Sequence, residues 1–329
     1  MYAKSGNIDD SLQIFKSLES KDTAVWNAML VGLAQHGKGE EAISLFQAMT
    51  SSGFQPDKVT FIGVLSACSH SNLFMKSYEH FNAMSRQYGI KPEIEHYSCL
   101  VDALARGGLV QEAEKVISSM PFEPSAAMYR VVLSACRIER DAETGRRAAE
   151  KLMELEPSDP SPYILLYNIY AAGNRWDEAV EARSLMRKVS VKKDPGFSYV
   201  DSHNRVHLFT SDDKSHPQAD LIYAKLYEMM RNIKEEGYAP ATDVVLLDVE
   251  DEEKEKWLWH HSEKLAVAFA LVSTPPGKPI RVIKNIRICS DCHSAFKCVS
   301  KFYRREIILR DANRFHRIVD GVCSCGDFW

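Results

Sequence analysis

The sequence predicts an α-solenoid of helix-turn-helix repeats followed by a smaller, metal-binding α/β domain. Three observations carry that prediction. A helical cadence returns about every 31 to 36 residues over the first 194 positions, short strand-like runs replace it afterwards, and five of the eight cysteines crowd into the last 41 residues. A length of 329 residues with 45% hydrophobic composition is enough for about two domains, each with an ordinary core. The 41 basic and 45 acidic residues, a net charge of -4, argue against a polycation that coats nucleic acid nonspecifically, so any RNA or DNA contact must be local. The longest uncharged apolar run, 265–272, is far short of the ~20 residues of a membrane span, and no charged-then-apolar leader opens the chain. The expectation is a soluble protein with no membrane association in a reducing compartment, where clustered cysteines read as metal ligation or redox chemistry before disulfides.

The repeats are visible as recurring text. Ala34-Gln35-His36-Gly37 followed by Glu41-Ala42 returns as Ala105-Arg106-Gly107-Gly108 followed by Glu112-Ala113, with related text at Ala3-Lys4-Ser5-Gly6. Leu-Ser-Ala-Cys stands at both 65–68 and 133–136. Each unit places an aromatic near the start of its first helix (Trp26, Phe61, Tyr97, Tyr129), and second helices carry apolar spacing such as Ala42, Leu45, Phe46 and Met49. Such stripes specify packing between neighbouring helices rather than chemistry. The units run 23–57, 58–93 and 94–125. Gly53-Phe54-Gln55-Pro56-Asp57 and Gly89-Ile90-Lys91-Pro92-Glu93 close successive units, and Val25-Trp26-Asn27 opens one.

On these residues the first half resembles the pentatricopeptide repeat family of single-strand RNA binders, in the plant subclass that alternates standard, long and short repeats. The punctuation favours that family over the protein-binding tetratricopeptide arrays of similar period. The resemblance implies repeats over 1–125, the first of them truncated, and two degenerate helical repeats over 126–194. It also implies that the fifth and last residues of a repeat read one base, which pairs Asn27 with Asp57, Ile62 with Glu93, and Ser98 with Ser125. An Asn/Asp pair is associated with uracil, whose N3–H donates to a carboxylate. Ser125 departs from the Asp common at its position. The residues alone leave open a structural role, with Asn27 capping a helix and Asp57 closing a turn. Tyr2 to Phe15 match only the later part of a unit, so the chain is expected to be the C-terminal portion of a longer array.

Beyond 194, strands are expected at 197–200, 205–209, 280–288, 306–310 and 314–319, with helices opening at His261, after the acid-rich stretch 248–255, and over about 290–303. His261-Ser262-Glu263 and Cys289-Ser290-Asp291-Cys292 each open a predicted helix. Two helix N-termini can bring one imidazole and two thiols to one point, and their dipoles favour the thiolate that zinc requires. Three protein ligands leave a fourth position for water, whose pKa zinc lowers toward neutrality. Glu263, two residues from the ligating imidazole, is the candidate general acid/base. A lone His-x-Glu is a weak signal, but the ordered combination is strong. It matches the zinc-deaminase pattern His-x-Glu, then Pro-Cys-x-x-Cys, except that Ile288 stands in the proline position. A purely structural zinc beside a solvated Glu263 is the alternative.

The tail adds His316, Cys323 and Cys325 and ends Asp327-Phe328-Trp329. Together with the repeats it resembles the DYW deaminase domain, here over 195–329. The implied fold class is an α-solenoid followed by an α/β zinc-dependent cytidine-deaminase-like domain. Pro195-Gly196-Phe197-Ser198-Tyr199 matches the family's Pro-Gly box with Tyr199 for the usual Trp, and Phe328 replaces the usual Tyr. The resemblance implies two zinc ions. One is catalytic, held by His261, Cys289 and Cys292 beside Glu263, and the other is structural, closed by His293, His316, Cys323 and Cys325. Residues 278–317 hold eleven Lys/Arg against three Asp/Glu, including Arg304, Arg305 and Arg310, a positive field suited to an RNA backbone or a solvated charged face. Trp257 and Trp259 suit base stacking or packing.

The implied function is site-specific C-to-U editing of single-stranded transcripts in a mitochondrion or chloroplast, with protein partners from an editing complex, no DNA, and a transit peptide outside this chain. Two rivals remain: a non-catalytic, sequence-specific RNA-binding factor for transcript processing or stability, and a protein-binding helical scaffold.

Overall fold

The computed structural model describes residues 2–189, 195–202, 205–242, 245 and 250–327. Residues 192–194 at the expected domain boundary, 248 and 249 of the acid-rich stretch, and the Phe328-Trp329 ending lie outside the described residues. Residues 2–189 form one compact unit and 195–327 another. No described helix is long and apolar enough to cross a membrane.

In the first unit, α1 (Ile8–Ser17) is followed by antiparallel-type helix pairs joined by short turns. They are α2 (Thr23–Gln35) with α3 (Gly39–Ser51), α4 (Lys58–His70) with α5 (Phe74–Arg86), and α6 (Ile94–Arg106) with α7 (Val110–Ser119). Then come α8 (Ala126–Glu139) with α9 (Ala142–Leu155), and α10 (Ser161–Ala172) with α11 (Trp176–Lys188). Short polar side chains set the starts: Asp22 accepts from the Val25 N–H, Asp57 from Thr60 and Asp141 from Thr144, each satisfying an otherwise orphaned first-turn donor. Successive first helices α2, α4, α6, α8 and α10 pack on one another.

One aromatic motif recurs at the joints. Trp26 of α2 lies against Phe15 of α1 and Phe54 behind its own unit (ring centroids 5.0 and 5.7 Å). Phe61 of α4 lies likewise between Phe46 of α3 and Tyr88 (5.6 and 5.4 Å), and Tyr97 of α6 between Phe81 of α5 and Phe122 (4.9 and 5.9 Å). Most of these pairs meet edge to face, the arrangement the ring quadrupoles favour. At Gly63 a Cβ would stand 3.0 Å from the Leu30 Cβ, so glycine lets α4 approach α2 closely.

The second unit is a six-stranded mixed sheet with helices. The strands are β1 (Phe197–Ser202), β2 (Arg205–Thr210), β3 (Ile280–Lys284), β4 (Ile307–Arg310), β5 (Phe315–Val319) and β6 (Val322–Cys323), in the order β2-β1-β3-β4-β5-β6. Only β3 and β4 run parallel; their connection is α15 (Ser290–Tyr303), the crossover helix such a pair requires. The other helices are α12 (Ala219–Glu235), α13 (Asp251–Trp259) and α14 (Ser262–Ser273). Ser262 through Ala270 are all buried, because α14 packs on β1, β2 and β3 on one side and α12 on another.

Strand β3 ends at Lys284, short of the expected 288. Asn285 turns the chain there: its Oδ1 accepts from the Phe197 N–H (2.8 Å) and its Nδ2 donates to the Pro195 carbonyl (3.2 Å). The Ile288 N–H then leaves the ladder for the Asp311 carboxylate. Much of the acid-rich stretch, expected to precede a helix, is itself helix α13.

Candidate metal groups and base-reading positions

His261 is the N-cap of α14, Cys289 is the N-cap of α15, and Cys292 lies in the first turn of α15. His261 Nδ1 stands 3.5 Å from Cys289 Sγ and 3.4 Å from Cys292 Sγ, and the Cys292 N–H donates to Cys289 Sγ (3.4 Å). With a Glu263 carboxylate oxygen, one donor atom from each of these four residues lies within 4.8 Å of the others. Both cysteines are free thiols. A hydrogen bond from Cys292 outweighs burial and, with His261, holds the Cys289 thiol well below its usual range, while burial and the Cys289 charge push Cys292 up. One imidazole nitrogen and two sulfurs form a donor set that fits zinc.

Glu263 is 3% exposed, which decides against the solvated-helix alternative. Its Oε2 accepts from Lys284 Nζ (3.0 Å) and from the Ser262 hydroxyl (3.1 Å), so this oxygen of the carboxylate is anchored. Lys284 also donates to Ser262 Oγ (2.6 Å), and Ser198 of β1 meets the same hydroxyl (3.0 Å). Burial raises the Glu263 pKa, but Lys284 and His261 outweigh it and hold the group below the ordinary carboxylate range. Gly196 makes room for this network: a Cβ there would stand 2.9 Å from Ile286 Cδ1 and 3.1 Å from Lys284 Nζ. Next to it, the fully buried Lys264 and Asp291 form an ion pair, and the Tyr238 hydroxyl (2.6 Å) and the Ala241 N–H (3.0 Å) also donate to Asp291. This pair ties the start of α14 to the start of α15.

None of Lys284, Ser262, Lys264, Asp291 and Tyr238 carries a motif. Lys284 had one legible sign, since in Ile-Arg-Val-Ile-Lys it shares the buried phase with Ile280 and Val282. Lys264 had another: a cation directly before the long apolar run 265–272 of α14 needs a buried partner.

The second group is wholly buried. Cys325 Sγ lies 3.3 Å from His293 Nε2 and 3.2 Å from Cys323 Sγ, and Cys323 Sγ lies 3.7 Å from His316 Nδ1; all four donors fall within 4.8 Å of one another. Hydrogen bonding with Cys323, His293 and His316 outweighs burial and holds the Cys325 thiol well below its usual range. His316 turns its other nitrogen, Nε2, to Asp311 (3.4 Å). Burial raises the Asp311 pKa, but the His316 hydrogen bond and the backbone donors outweigh it and bring the group down to about 2.

In the first unit, Asn27, Ile62 and Ser98 are each the fifth residue of α2, α4 and α6, and Asp57, Glu93 and Ser125 are the N-caps of α4, α6 and α8. Asn27 is buried inside α2 and caps nothing; its Nδ2 donates to both Asp57 oxygens (2.9 and 3.2 Å), and the Thr60 hydroxyl donates to its Oδ1 (2.6 Å). Asp57 caps α4 in a reciprocal box with Thr60. Glu93 pairs with Lys58, Ser98 bonds back to the Ile94 carbonyl (2.9 Å), and the Ser125 side chain makes no cap bond. Asp57→Ala is expected to lower the stability of this unit by about 1 kcal/mol through the lost cap, read as a lower denaturant midpoint at unchanged slope.

The basic run is not one exposed face. Arg310 is exposed, but Lys284, Arg305 and Arg314 are buried. Arg305 is an internal residue that donates to the Lys278 carbonyl and the Thr274 hydroxyl. Trp259 packs under Lys234 Nζ (5.0 Å), whereas Trp257 is 46% exposed.

Sequence profiles of known families match along the chain. The PPR repeat family matches 21–70 and the PPR repeat 95–123; the E motif matches 140–201 and the E+ motif 206–233. The DYW family of nucleic acid deaminases matches 237–329. Among relatives, the pentatricopeptide repeat-containing protein At4g33170 of Arabidopsis thaliana is 61% identical over all of this chain and 33% of its own length. The putative pentatricopeptide repeat-containing protein At5g09950 of the same plant is 49% identical over all of this chain and 34% of its own length. The chain thus spans about a third of these relatives. Among solved structures, the pentatricopeptide repeat protein PPR10 in complex with an 18-nt psaJ RNA element superposes with TM-score 0.53 at 17% identity, covering 78% of this chain and 34% of that one. PPR10 from maize gives TM-score 0.50 at 16% identity, covering 92% and 40%. At such identity the likeness concerns the fold alone.

Proposed function

Because the chain belongs to the pentatricopeptide repeat proteins that carry E and E+ motifs and a DYW deaminase domain, we propose that it edits C to U in single-stranded organellar RNA by zinc-dependent hydrolytic deamination. One observation carries the reading: a buried, ion-paired carboxylate, Glu263, shares a 4.8 Å cluster with the imidazole and two sulfurs of His261, Cys289 and Cys292.

His261, Cys289 and Cys292 would hold the catalytic zinc, and His293, His316, Cys323 and Cys325 a second, structural zinc. Bound in the first group, zinc supplies Lewis-acid activation of water near neutral pH. Glu263 takes a proton from the attacking water, passes it to N3 of the cytosine as C4 becomes tetrahedral, and serves the departing amine; water enters and ammonia leaves. Lys284 and Ser262 keep the carboxylate aimed during both transfers. An unpaired cytosine reaches the site without a base-pairing penalty.

The helix pairs would present Asn27 with Asp57, Ile62 with Glu93, and Ser98 with Ser125 to successive bases. In the structure the Asn27 amide already engages Asp57, so a uracil edge would have to join or replace that bond. Binding of the full-length protein to a uridine-containing single strand is expected to weaken linearly in log K against log salt, with a slope near -0.7 per phosphate contact. A filter-binding titration checks this, and salt-independent absence of retention points to the protein-binding scaffold instead. The reaction itself is tested by sequencing a bound RNA for C-to-U changes with and without an intact Glu263.

A further inference from the structure

We propose that Asp311 is a positioning residue that couples the two His/Cys groups, so that each holds its metal more tightly while the other is intact. The inference rests on the two-metal reading above and concerns a residue that neither group contains. Asp311 follows β4 in the tight turn to β5, and its side chain is fully buried. Four N–H donors converge on its two oxygens. Oδ1 accepts from the backbone of Asn313 (2.8 Å) and Arg314 (2.9 Å), which anchors the carboxylate to its own turn. Oδ2 accepts from the Ile288 backbone (3.2 Å) and from His316 Nε2 (3.4 Å).

Those last two donors lead to different groups. A proton held on Nε2 leaves His316 Nδ1, the nitrogen facing Cys323, as the ligating atom. The Ile288 N–H lies in the Arg287–Ile288 peptide, one residue before Cys289, so the same oxygen anchors the backbone from which that cysteine begins α15. A second link is covalent, because Cys292 and His293 are neighbours in α15 yet serve different groups.

Asp311→Asn is the informative change. The amide has nearly the same shape but only one oxygen. If the turn donors keep that oxygen, an NH2 faces two N–H groups, and the support of both groups fails together. The full-length protein, loaded with zinc, would be analysed for metal content and titrated with a competing chromophoric chelator, with Cys289→Ala/Cys292→Ala identifying the release step of the closed group. Unchanged protein is expected to release two zinc ions per chain in two steps, and D311N to weaken both by about 10- to 100-fold with an unchanged far-ultraviolet circular dichroism spectrum. If D311N weakens only the closed group, the coupling is overturned while the two-metal reading stands. Fewer than two ions in the unchanged protein overturns both. Should D311N not fold, Cys323→Ala carries the test, because coupling is reciprocal: weakening the closed group must loosen the ion of the other, and an unaltered first group overturns the proposal.

Discussion

Glu263→Gln is expected to lower C-to-U conversion by about 10²- to 10⁴-fold while RNA affinity and zinc content stay within about twofold. The range is what a positioned proton carrier contributes to a transition state. Gln is a cleaner probe than Ala, because its amide oxygen can still accept from Lys284 and Ser262, which now hold Oε2. The buried lysine keeps a partner and the site keeps its shape; only the capacity to take up and release a proton is removed. A single-turnover assay at saturating protein reads the chemical step. Conversion at the unchanged rate would remove Glu263 from the chemistry and leave a non-catalytic RNA-binding factor as the better reading.

Lys264→Met is expected to destabilise the second unit by about 3 to 5 kcal/mol, the usual effect of breaking a buried ion pair from one side. Both partners are fully buried, so removing the ammonium strands a carboxylate that water does not reach. The hydroxyl of Tyr238 and the N–H of Ala241 still donate to Asp291, but they supply hydrogen bonds and no countercharge. Lys264→Met with Asp291→Leu should recover part of the loss, since a well-packed apolar pair can match a buried ionic one. Recovery stays incomplete because Tyr238 and Ala241 then lose their acceptor. Denaturant unfolding followed by signals from the second unit measures both variants; a loss below about 1 kcal/mol for the single change would mean the pair is not the clamp described.

The helical repeats were legible because their signals are local. A cadence of glycines, a Trp-Asn opening and a Pro-Asp ending lie within one or two turns of the helices they punctuate, and α2, α4 and α6 begin at Thr23, Lys58 and Ile94, directly after Asp22, Asp57 and Glu93. The metal-group donors were legible for a related reason: His-x-Glu and Cys-x-x-Cys each sit at a helix start, where spacing fixes direction. The support around them was not. Lys284 reaches Glu263 from a strand 21 residues away, and Asp311 reaches Ile288 across 23. Pairings of that kind depend on the order of strands in the sheet, which no short pattern records. The local count of cations over 278–317 misled for the same reason, since placing Arg305 among surface cations ignores that its turn folds it inward.

The three-ring contact has a consequence for how such arrays lengthen. Trp26, Phe61 and Tyr97 each grip the preceding helix and their own trailing segment in the same way, so one joint is geometrically interchangeable with the next. A whole 36-residue module such as 58–93 can therefore be duplicated or excised with its sockets still matching, and recognition can drift in evolution by slippage as well as by substitution.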